Sequence, residues 1–523
     1  MIRYLPFALV AVLCAASFWL PPWVALISWP LLLLGIWDLS QRSHSLHRNY
    51  PMIGHLREMA ESIRPQMQQY FVESDTEGKP YDREQRSLIY QRAKNAVETH
   101  PFGTERDVQR SGYEWITHSI APKPPASEPP RVPIGGSECR QPYASALLNV
   151  SAMSFGSLSG AAIEALSTGA AAGGFAHDTG EGAISPYHER GGADLIWELG
   201  TGYYGCRSQQ GGFDAGAFTE KAGLDQVKMI EIKLSQGAKP GHGGILPAAK
   251  VSAEIASTRG IPEGESCVSP PYHQTFSTPR GLLDFVAELR ALSGGKPVGF
   301  KLCIGHRWEF LGICKAMLDS GIRPDFIVID GTEGGTGAAP VEFTDHMGMP
   351  LREGLLFARN ALVGCDLSGD IRLGAAGKMV SGFDMAIAMA LGADWCNAAR
   401  AFMFALGCLQ SQSCHTNHCP VGVATQDPRR QSALNVVDKA ERVAAFQAKT
   451  VHALLELAGA AGLTDPHQLQ PYHFFHRTSS REARLLSETY PFLELGALRS
   501  GAGDEHWQRL WARASADSFE RMG

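Results

Sequence analysis

Between residues 147 and 406 the chain alternates short apolar segments with helix-like segments rich in alanine and leucine. The clearest strand candidates are residues 229–234, 297–304, 325–331 and 371–377, and helical patterns lie around residues 282–292, 311–320 and 383–391. Buried strands that alternate with helices predict a parallel sheet. The stretch also has the length of a TIM, or (β/α)8, barrel, about 250 residues. We therefore predict an α/β fold built on such a barrel.

A doubly wound sheet is the alternative arrangement of the same elements. It is the weaker interpretation because no G-x-G-x-x-G run opens a first helix. In a TIM barrel the chemistry lies at the carboxyl ends of the strands, and lysine, glycine and acidic residues collect after the predicted strands of this chain.

Composition excludes several classes of protein. The 523 residues include 47 basic and 53 acidic side chains, a net charge of −6, so we expect no nucleic-acid partner. Hydrophobic residues make up 44% of the chain, which predicts a packed core. Eleven cysteines in a chain of this length are too sparse for a secreted disulfide scaffold.

The N-terminal segment is long and apolar. Residues 5–20 and 23–37 are apolar on either side of two prolines, and no charged residue lies between Arg3 and Asp38. Each half is short for a bilayer span of about 20 residues. A helical hairpin in the membrane is the preferred interpretation; a single tilted span and a cleaved signal peptide are the alternatives. Arginines after the segment favour a cytoplasmic catalytic body.

We predict four regions. Residues 1–40 form the transmembrane segment or segments, and residues 41–135 a helical and linker region that includes the proline-rich stretch 121–133. Residues 136–460 form the barrel with its cysteine-containing loop. Residues 461–523 form a C-terminal extension to which we assign no function.

Three cysteines cluster near the end of the barrel region. Cys408, Cys414 and Cys419 are separated by five and four residues. Thiolates bind iron–sulfur clusters or zinc, and zinc sites usually contain closer cysteine pairs and a fourth ligand. His415 or His418 could supply that ligand, and three buried structural cysteines are a further alternative. Three thiols with no obvious fourth ligand suit a cluster with three protein-bound irons.

Several ordered motifs resemble the glutamate synthase family, most closely its shorter, stand-alone FMN-binding members. They are GCLQSQSCHTNHCPVGVATQ (407–426), SAMSFGSLS (151–159), DTGEG (178–182), EIKLSQGAKPGHGG (231–244), SPPYH (269–273) and DGTEGGTGAAP (330–340). The resemblance extends over roughly residues 149–457. It implies a TIM-barrel FMN domain in residues 136–460 and a [3Fe–4S] cluster on Cys408, Cys414 and Cys419.

The resemblance also suggests how the flavin is held. A cation at a strand end can stabilise the reduced ring at N1, and Lys301 is the candidate, with a surface lysine as the alternative. Gly335 and Thr336 belong to a glycine-rich loop after a strand. The matching motif implies that Ser154, Gly156 and Ser157 also bind the cofactor.

The phosphate of the flavin is expected after the last two barrel strands, where TIM barrels often bind phosphate. Gly377 and Lys378 follow one of these strands, and Ala399 and Arg400 follow the other. For Lys378 the alternative is a surface charge that caps a helix.

Lys239, Gln236 and Glu181 are the candidate catalytic residues. Lys239 can neutralise a dicarboxylate and Gln236 can orient it. Glu181 could guide ammonia or a proton, although a structural carboxylate that caps a loop is as good an interpretation. His242 stands where glutamate synthases carry Glu, and Ile245 where they carry Gln, so the route of nitrogen delivery stays open.

The resemblance implies reductive amination of 2-oxoglutarate to L-glutamate, an oxidoreductase reaction of the CH–NH2 class. We expect no glutaminase activity and no NADPH site on this chain, because neither signature is present. Electrons would then come from ferredoxin or an NAD(P)H-oxidising subunit. Nitrogen would come from ammonia, an amine or a separate amidotransferase. The alternatives are a related reaction, such as N-alkylglutamate formation, and a membrane-tethered electron-transfer protein.

Overall fold

Eight parallel strands close into a barrel in the computed structural model, which describes residues 2–523. In chain order the strands are β1 (Leu148–Val150), β2 (His177–Asp178), β3 (Leu195–Leu199), β4 (Val227–Lys233), β5 (Val298–Leu302), β6 (Phe326–Asp330), β7 (Arg372–Ala376) and β8 (Trp395–Ala398). Each strand pairs with the next, and β8 closes the barrel on β1. The predicted barrel is confirmed.

Helices connect the strands and flank the barrel. They are α1 (Leu5–Ala16), α2 (Pro22–Ser40), α3 (Ser45–Asn49), α4 (Gly54–Met67), α5 (Arg83–Ala93), α6 (Gly160–Gly173), α7 (Pro186–Gly191), α8 (Ala215–Ala222), α9 (Ala253–Arg259), α10 (Pro279–Leu292), α11 (Arg307–Ser320), α12 (Val341–His346), α13 (Leu351–Gly364), α14 (Gly382–Ala390), α15 (Arg400–Ala405), α16 (Pro428–Gln431), α17 (Val436–Ala460), α18 (Leu486–Thr489), α19 (Ala497–Ser500) and α20 (Glu505–Ala512). Short 3-10 segments occur at Ala248–Lys250, Pro466–Gln468 and Pro471–His473.

The helix starts of the barrel are set by side chains in the preceding loops. Ser159 begins α6 by accepting a hydrogen bond from the Ala162 N–H at 3.1 Å, and Thr278 begins α10 in the same way from Gly281 at 3.0 Å. Such caps satisfy N–H groups that have no partner inside the helix. The loops at the carboxyl ends of the strands are therefore fixed where each helix begins.

The long helix α17 packs along α6 on the outside of the barrel. Gly169 lies at the closest approach, since a Cβ there would stand 2.6 Å from the carbonyl oxygen of Ala440. Val443 and Phe446 of α17 are buried in the same interface. This contact anchors the chain that follows β8, including the cysteine loop.

A small antiparallel sheet joins the region before the barrel to the C-terminal extension. It consists of Glu114–Ile116, Phe474–Arg477 and Ala483–Leu485. Trp115 stacks on Phe475 with ring centroids 5.2 Å apart, and Glu114 forms an ion pair with Arg352 of α13. Residues 461–523 therefore pack against the barrel rather than forming a separate unit.

The described chain divides into two compact units at Glu84/Gln85. In the first, α1 and α2 form an antiparallel hairpin, in which the Phe7 ring lies against Gly35. Among the described residues α2 is the one helix long and apolar enough to cross a membrane, and α1 is a shorter apolar helix. Large apolar side chains on both helices are exposed, such as Val12 of α1 at 65% and Leu26 of α2 at 77%. The region limits at residues 40, 135 and 460 stay predictions.

Candidate functional site

A buried cluster of charged side chains fills the barrel interior near the carboxyl ends of the strands. Lys301 of β5 is 3% exposed and contacts Glu198 of β3 and Glu231 of β4, the latter at 3.0 Å. The strand register places Glu198 opposite Glu231, and Asp178 of β2 completes the group. The surface-lysine alternative for Lys301 is therefore wrong, since the barrel interior surrounds its ammonium group.

Burial governs the protonation of this cluster. Burial raises the pKa of Glu231 to about 7. The Glu198 carboxylate raises this pKa further, and the Lys301 ammonium acts to lower it. Burial and the Glu231 carboxylate also raise the pKa of Asp178. Burial would lower the pKa of Lys301, but Glu198 and Glu231 outweigh it and raise that pKa. Near neutral pH one cation faces several carboxyl groups, so the cluster can keep a proton on one of them.

The loop after β4 covers the mouth of the barrel. The Gly237 N–H donates to Asp330 at the end of β6 at 2.8 Å. A Cβ at Gly237 would lie 1.7 Å from the carbonyl oxygen of Gly331, so only glycine allows this approach. Lys239 in this loop is 2% exposed, and its Nζ donates to the carbonyl oxygen of Ala338 at 3.0 Å. The loop thus fixes a buried cation above the charged barrel interior.

A cavity of about 20 Å³ lies beneath that loop. Residues that line it include Glu181, Lys233, Gln236 and His242. Glu181 pairs with Lys233 at 3.1 Å. Although burial acts to raise it, the pKa of Glu181 is lowered by Lys233, Arg259 and Lys239, so this carboxyl is ionised at neutral pH. Two of the three predicted catalytic residues, Glu181 and Gln236, therefore face one cavity.

Lys239 belongs to the same electrostatic group. Burial lowers its pKa, while Glu181 opposes that effect. Two cations, Lys233 and Lys239, thus lie near one carboxylate at the cavity. The surplus of positive charge favours an anionic ligand. Lys233 was not predicted; its position at the end of a strand, in the sequence EIK, was the available signal.

The loop after β1 carries the predicted residues Ser154, Gly156 and Ser157. The Ser154 and Ser157 hydroxyls lie 2.9 Å apart, and Arg259 donates to the Phe155 carbonyl oxygen at 2.8 Å. Gly156 has φ +102°, a conformation that favours glycine. The neighbouring loop after β2 lies so close that a Cβ at Gly180 would stand 2.6 Å from the Ser154 nitrogen.

The predicted phosphate residues meet at one edge of the barrel. Because β7 pairs with β8, the ends of these strands bring Gly377 and Lys378 beside Ala399 and Arg400. Gly377 has φ +155° and Lys378 φ +47°, so the backbone turns sharply here. The Arg400 guanidinium reaches the loop after β6, where it donates to the Glu333 carbonyl oxygen and lies against Gly335. The loop that includes Thr336 therefore adjoins the phosphate candidates.

The cysteine loop lies on this same glycine-rich segment. A Cβ at Gly337 would stand 3.5 Å from the Cys414 Cβ. The end of the loop is attached to the β1 loop, because the Gln426 amide donates to the carbonyl oxygens of Gly156 and Leu158 at 3.0 and 2.8 Å. The cysteines are thus held at the carboxyl end of the barrel, next to the predicted flavin residues.

The three thiols share one environment with a buried lysine. Burial, and then the neighbouring Cys414 and Cys419, raise the pKa of Cys408 to about 12. Burial lowers the pKa of Lys250 to about 8, while Cys414 and Cys419 act to raise it. The Lys250 Nζ also donates to the Ser157 carbonyl oxygen at 2.9 Å. Lys250 can therefore compensate negative charge on the thiolates.

The spacing of the sulfur atoms bears on the choice between zinc and a cluster. Within the described residues, two groups of side chains have three possible ligand atoms within 4.8 Å of one another. Neither group includes the three cysteines. A tetrahedral zinc with Zn–S bonds of about 2.3 Å brings its sulfurs to about 3.8 Å. The described positions of the three thiols therefore do not by themselves form a tetrahedral zinc site.

Comparisons with known proteins show which family this chain resembles. A family model described as the conserved region in glutamate synthase matches residues 128–464. The glutamate synthase large subunit-like protein YerD of Bacillus subtilis is 37% identical over 498 residues, 87% of this chain and 94% of that protein. The archaeal glutamate synthase [NADPH] of Methanocaldococcus jannaschii is 36% identical over 298 residues; these span 56% of this chain and 54% of that enzyme. A mandelate oxidase structure with (S)-4-hydroxymandelic acid has 15% identity and a TM-score of 0.43, covering 76% of this chain and 98% of that one.

Proposed function

This chain belongs to the glutamate synthase family and is an oxidoreductase of the class that acts on CH–NH2 donors, and we propose that it reductively aminates 2-oxoglutarate to L-glutamate. The resemblance noted in the sequence is thereby confirmed. The proposal extends to the substrate, to the cofactors FMN and [3Fe–4S], and to the residues that act on them.

The observation that carries the proposal is the group of charges around the cavity under the β4 loop. Lys233 and Lys239 supply two cations for the two carboxylates of 2-oxoglutarate, and Gln236 can orient the keto acid by hydrogen bonds. Glu181, ionised at neutral pH, can attract an ammonium ion to the cavity by charge and hydrogen bonding.

The residues at the carboxyl end of the barrel fit an FMN. Lys378 and Arg400, with the sharply turned backbone at Gly377, provide cationic groups and N–H donors suited to a phosphate. When bound, FMN would supply a hydride to the imine carbon formed from the oxo acid and ammonia. Lys301 and its carboxylates would adjust the charge beneath the ring.

The cysteine loop fits a three-iron cluster by its three thiols and the compensating Lys250. When bound, the cluster would pass single electrons to the flavin. The proposal requires an electron donor outside the chain, either ferredoxin or an NAD(P)H-oxidising subunit. Ammonia would be free or delivered by a separate amidotransferase.

The test uses the purified full-length protein with its native cofactors. Flavin and iron content are measured first, and the reduced protein is then mixed anaerobically with 2-oxoglutarate and ammonium. We expect reoxidation of the flavin with stoichiometric L-glutamate, detected by chromatography. Reoxidation that needs neither substrate, or that yields no glutamate, would contradict the proposal.

An amine larger than ammonia is the second candidate. His242 lines the cavity where glutamate synthases carry Glu, and its ring meets the Phe343 ring edge-on at 5.2 Å. An imidazole against a phenyl ring can accommodate an alkyl group better than a carboxylate can. Methylammonium in place of ammonium distinguishes the two candidates, because N-methylglutamate would form faster than glutamate only under the second.

We also propose that the α1–α2 hairpin anchors the protein in a membrane with the barrel in the cytoplasm. Support comes from the length and apolarity of α2 and from the exposed tryptophans at positions 19, 23, 29 and 37. We expect the full-length chain to stay in the membrane fraction after alkaline extraction and to be released by detergent. Protease added to inverted vesicles should cleave the barrel, and protection there would reverse the orientation.

A further inference from the structure

A second cluster of possible metal ligands lies in the N-terminal unit, apart from the chemistry of the barrel. One oxygen of Asp38 and one ring nitrogen each of His47 and His55 lie within 4.8 Å of one another. Asp38 is in the last turn of α2, His47 is in α3 and His55 is in the first turn of α4. Each of three helices thus contributes one possible ligand atom to this group.

The two imidazoles are already arranged against carboxylates. The His55 Nε2 lies 2.9 Å from Asp38 Oδ1 and the His47 Nε2 lies 2.9 Å from Glu58 Oε1. Glu58 follows His55 by three residues, so both project from one face of α4, and its second oxygen is 3.8 Å from the His55 Nδ1. Glu58 is therefore available as a fourth ligand.

The local fold holds these groups in place. Asp38 is 1% exposed, and its Oδ2 accepts a hydrogen bond from the Met52 N–H at 2.8 Å. The His47 and His55 rings stack with centroids 3.9 Å apart. Gly54 permits this packing, since a Cβ there would lie 2.8 Å from the His47 Cδ2. A backbone N–H that donates to one ligand and a fixed ring orientation are typical of metal sites.

The charges of the four side chains also favour a bound cation. Asp38 and Glu58 place two carboxyl groups beside the two imidazole rings. A divalent ion balances the two carboxylates and uses neutral imidazoles as ligands. A ring nitrogen that binds the ion gives up its hydrogen bond to the carboxylate: a neutral ring then carries its proton on the other nitrogen, and a protonated ring releases one proton to solvent.

We propose that Asp38, His47, His55 and Glu58 bind one divalent transition-metal ion that fastens α2 to α3 and α4. Zinc bonds to nitrogen and oxygen of about 2.0–2.2 Å would bring the ligand atoms to about 3.4 Å from one another. The contacts of 2.9 Å are already shorter than that, and the wider pairs among Asp38, His47 and His55, which lie within 4.8 Å, need to close by at most about 1.4 Å. No redox change is involved, and the role is structural.

Metal content tests the proposal. The full-length protein in detergent is stripped with a chelator, loaded with zinc alone and dialysed, and zinc is measured by mass spectrometry. We expect His55→Ala and Asp38→Asn to hold about one zinc fewer per chain than wild type. His44→Ala is the matched control, because His44 stacks near His47 but is outside the ligand set, and it should keep the zinc. Equal zinc content per chain in the wild type and in both ligand variants would overturn the proposal.

X-ray absorption at the zinc edge separates this site from the cysteine loop. Nitrogen and oxygen ligands in the wild type support the proposal, while sulfur ligands alone would place the zinc on the cysteines and overturn it.

A second measurement needs no variant. Trypsin can cleave after Arg48, which adjoins His47. Zinc at ten times its dissociation constant should reduce the fraction of molecules in which this segment is locally unfolded about tenfold. The cleavage rate should fall by the same factor. An unchanged rate in the wild type contradicts the proposal. His55→Ala should show no zinc effect, with the unfolding transition of the barrel as the check that this variant is folded.

Discussion

The two ends of the barrel differ in the size of their cavities and in how their charges are satisfied. At the amino end a cavity of about 290 Å³ is lined by Tyr143, Asp225, Lys228 and Lys296, among others. At the carboxyl end the cavity measures about 20 Å³. The larger opening is thus at the end where TIM barrels rarely carry out chemistry.

The charges show why the smaller cavity is the better candidate. At the amino end Lys296 donates to the carbonyl oxygens of Ala222 and Leu224 at 2.6 and 3.0 Å. At the carboxyl end Lys301 is surrounded by buried carboxyl groups whose pKa values are raised. Buried like charges are costly and persist where function needs them. Buried charge, rather than cavity volume, therefore marks the candidate site.

Loss of one cysteine at the carboxyl end should have the largest effect. Cys414→Ser is expected to remove the cluster, so iron content and the low-temperature EPR signal of the oxidised protein disappear while the flavin stays bound. Cys139→Ser is the matched control, because the Cys139 thiol donates to the Gly295 carbonyl oxygen at the amino end. Iron retained in Cys414→Ser, or zinc without iron in the wild type, would show that the cluster assignment is wrong.

Replacing the buried lysine should strongly destabilise the barrel. Lys301→Met leaves Glu231 without its ion-pair partner and Glu198 with Lys233, 4.0 Å away, which is expected to cost about 3–5 kcal/mol of unfolding free energy. Urea unfolding followed by the buried Trp197 and Trp395 measures it.

Lys228→Met provides the comparison at the amino end. Its half-exposed Nζ lies 3.9 Å from Asp194, so its loss should cost less than about 1 kcal/mol. Equal losses for the two variants would remove the distinction between the two ends.

Catalysis should depend on the lysine of the β4 loop. Lys239→Met is expected to lower kcat/KM for 2-oxoglutarate by about 10²–10³, because a buried cation for the substrate is lost. Lys296→Met at the amino end should destabilise the fold, because buried hydrogen bonds are lost. It should leave kcat/KM within about threefold, because Lys296 lies away from the reacting groups. A comparable fall in both variants would indicate a structural effect only.

The pH dependence of stability should reveal the proton in the barrel. The folded pKa of Glu231 is raised from 4.5 to about 7, so the folded state binds more protons between these values. Stability contributed by this group is present below pH 4.5 and is lost as pH rises towards 7, by at most about 1.4 kcal/mol per pH unit.

Glu231→Gln, which cannot ionise, tests this slope. The difference in unfolding free energy between wild type and variant, measured in urea from pH 4.5 to 8, should change in that window and level off above it. A difference that is constant with pH would place the proton elsewhere in the cluster.

Much of the barrel was predictable because its strands are short apolar runs between polar loops. The strand predicted over residues 325–331 is Phe326–Asp330, and the one over 371–377 is Arg372–Ala376. The strand β2 was not singled out, since two residues carry too little pattern. The antiparallel sheet of Glu114–Ile116 with Phe474–Arg477 was also missed, because its strands lie over 350 residues apart.

The candidate site was predictable only in part. Motif residues such as Gln236 and Glu181 were named, and the structure brings both to one cavity. Glu198 and Glu231 were not named, because a single acidic residue in an apolar strand gives no sign of which charge it will meet. The proximity of Lys250 to the cysteines, from more than 150 residues away, leaves no trace in local spacing.

The sequence by itself determined the family, the parallel barrel, the apolar N-terminal segment and the set of three thiols, because each is written in local periodicity or in a short motif. Only the tertiary structure decided which charges face one another. Barrel closure aligns β3, β4 and β5 so that Glu198, Glu231 and Lys301 share one buried volume. Electrostatic interactions depend on distance in space, and in this chain that distance is set by strand register rather than by separation along the sequence.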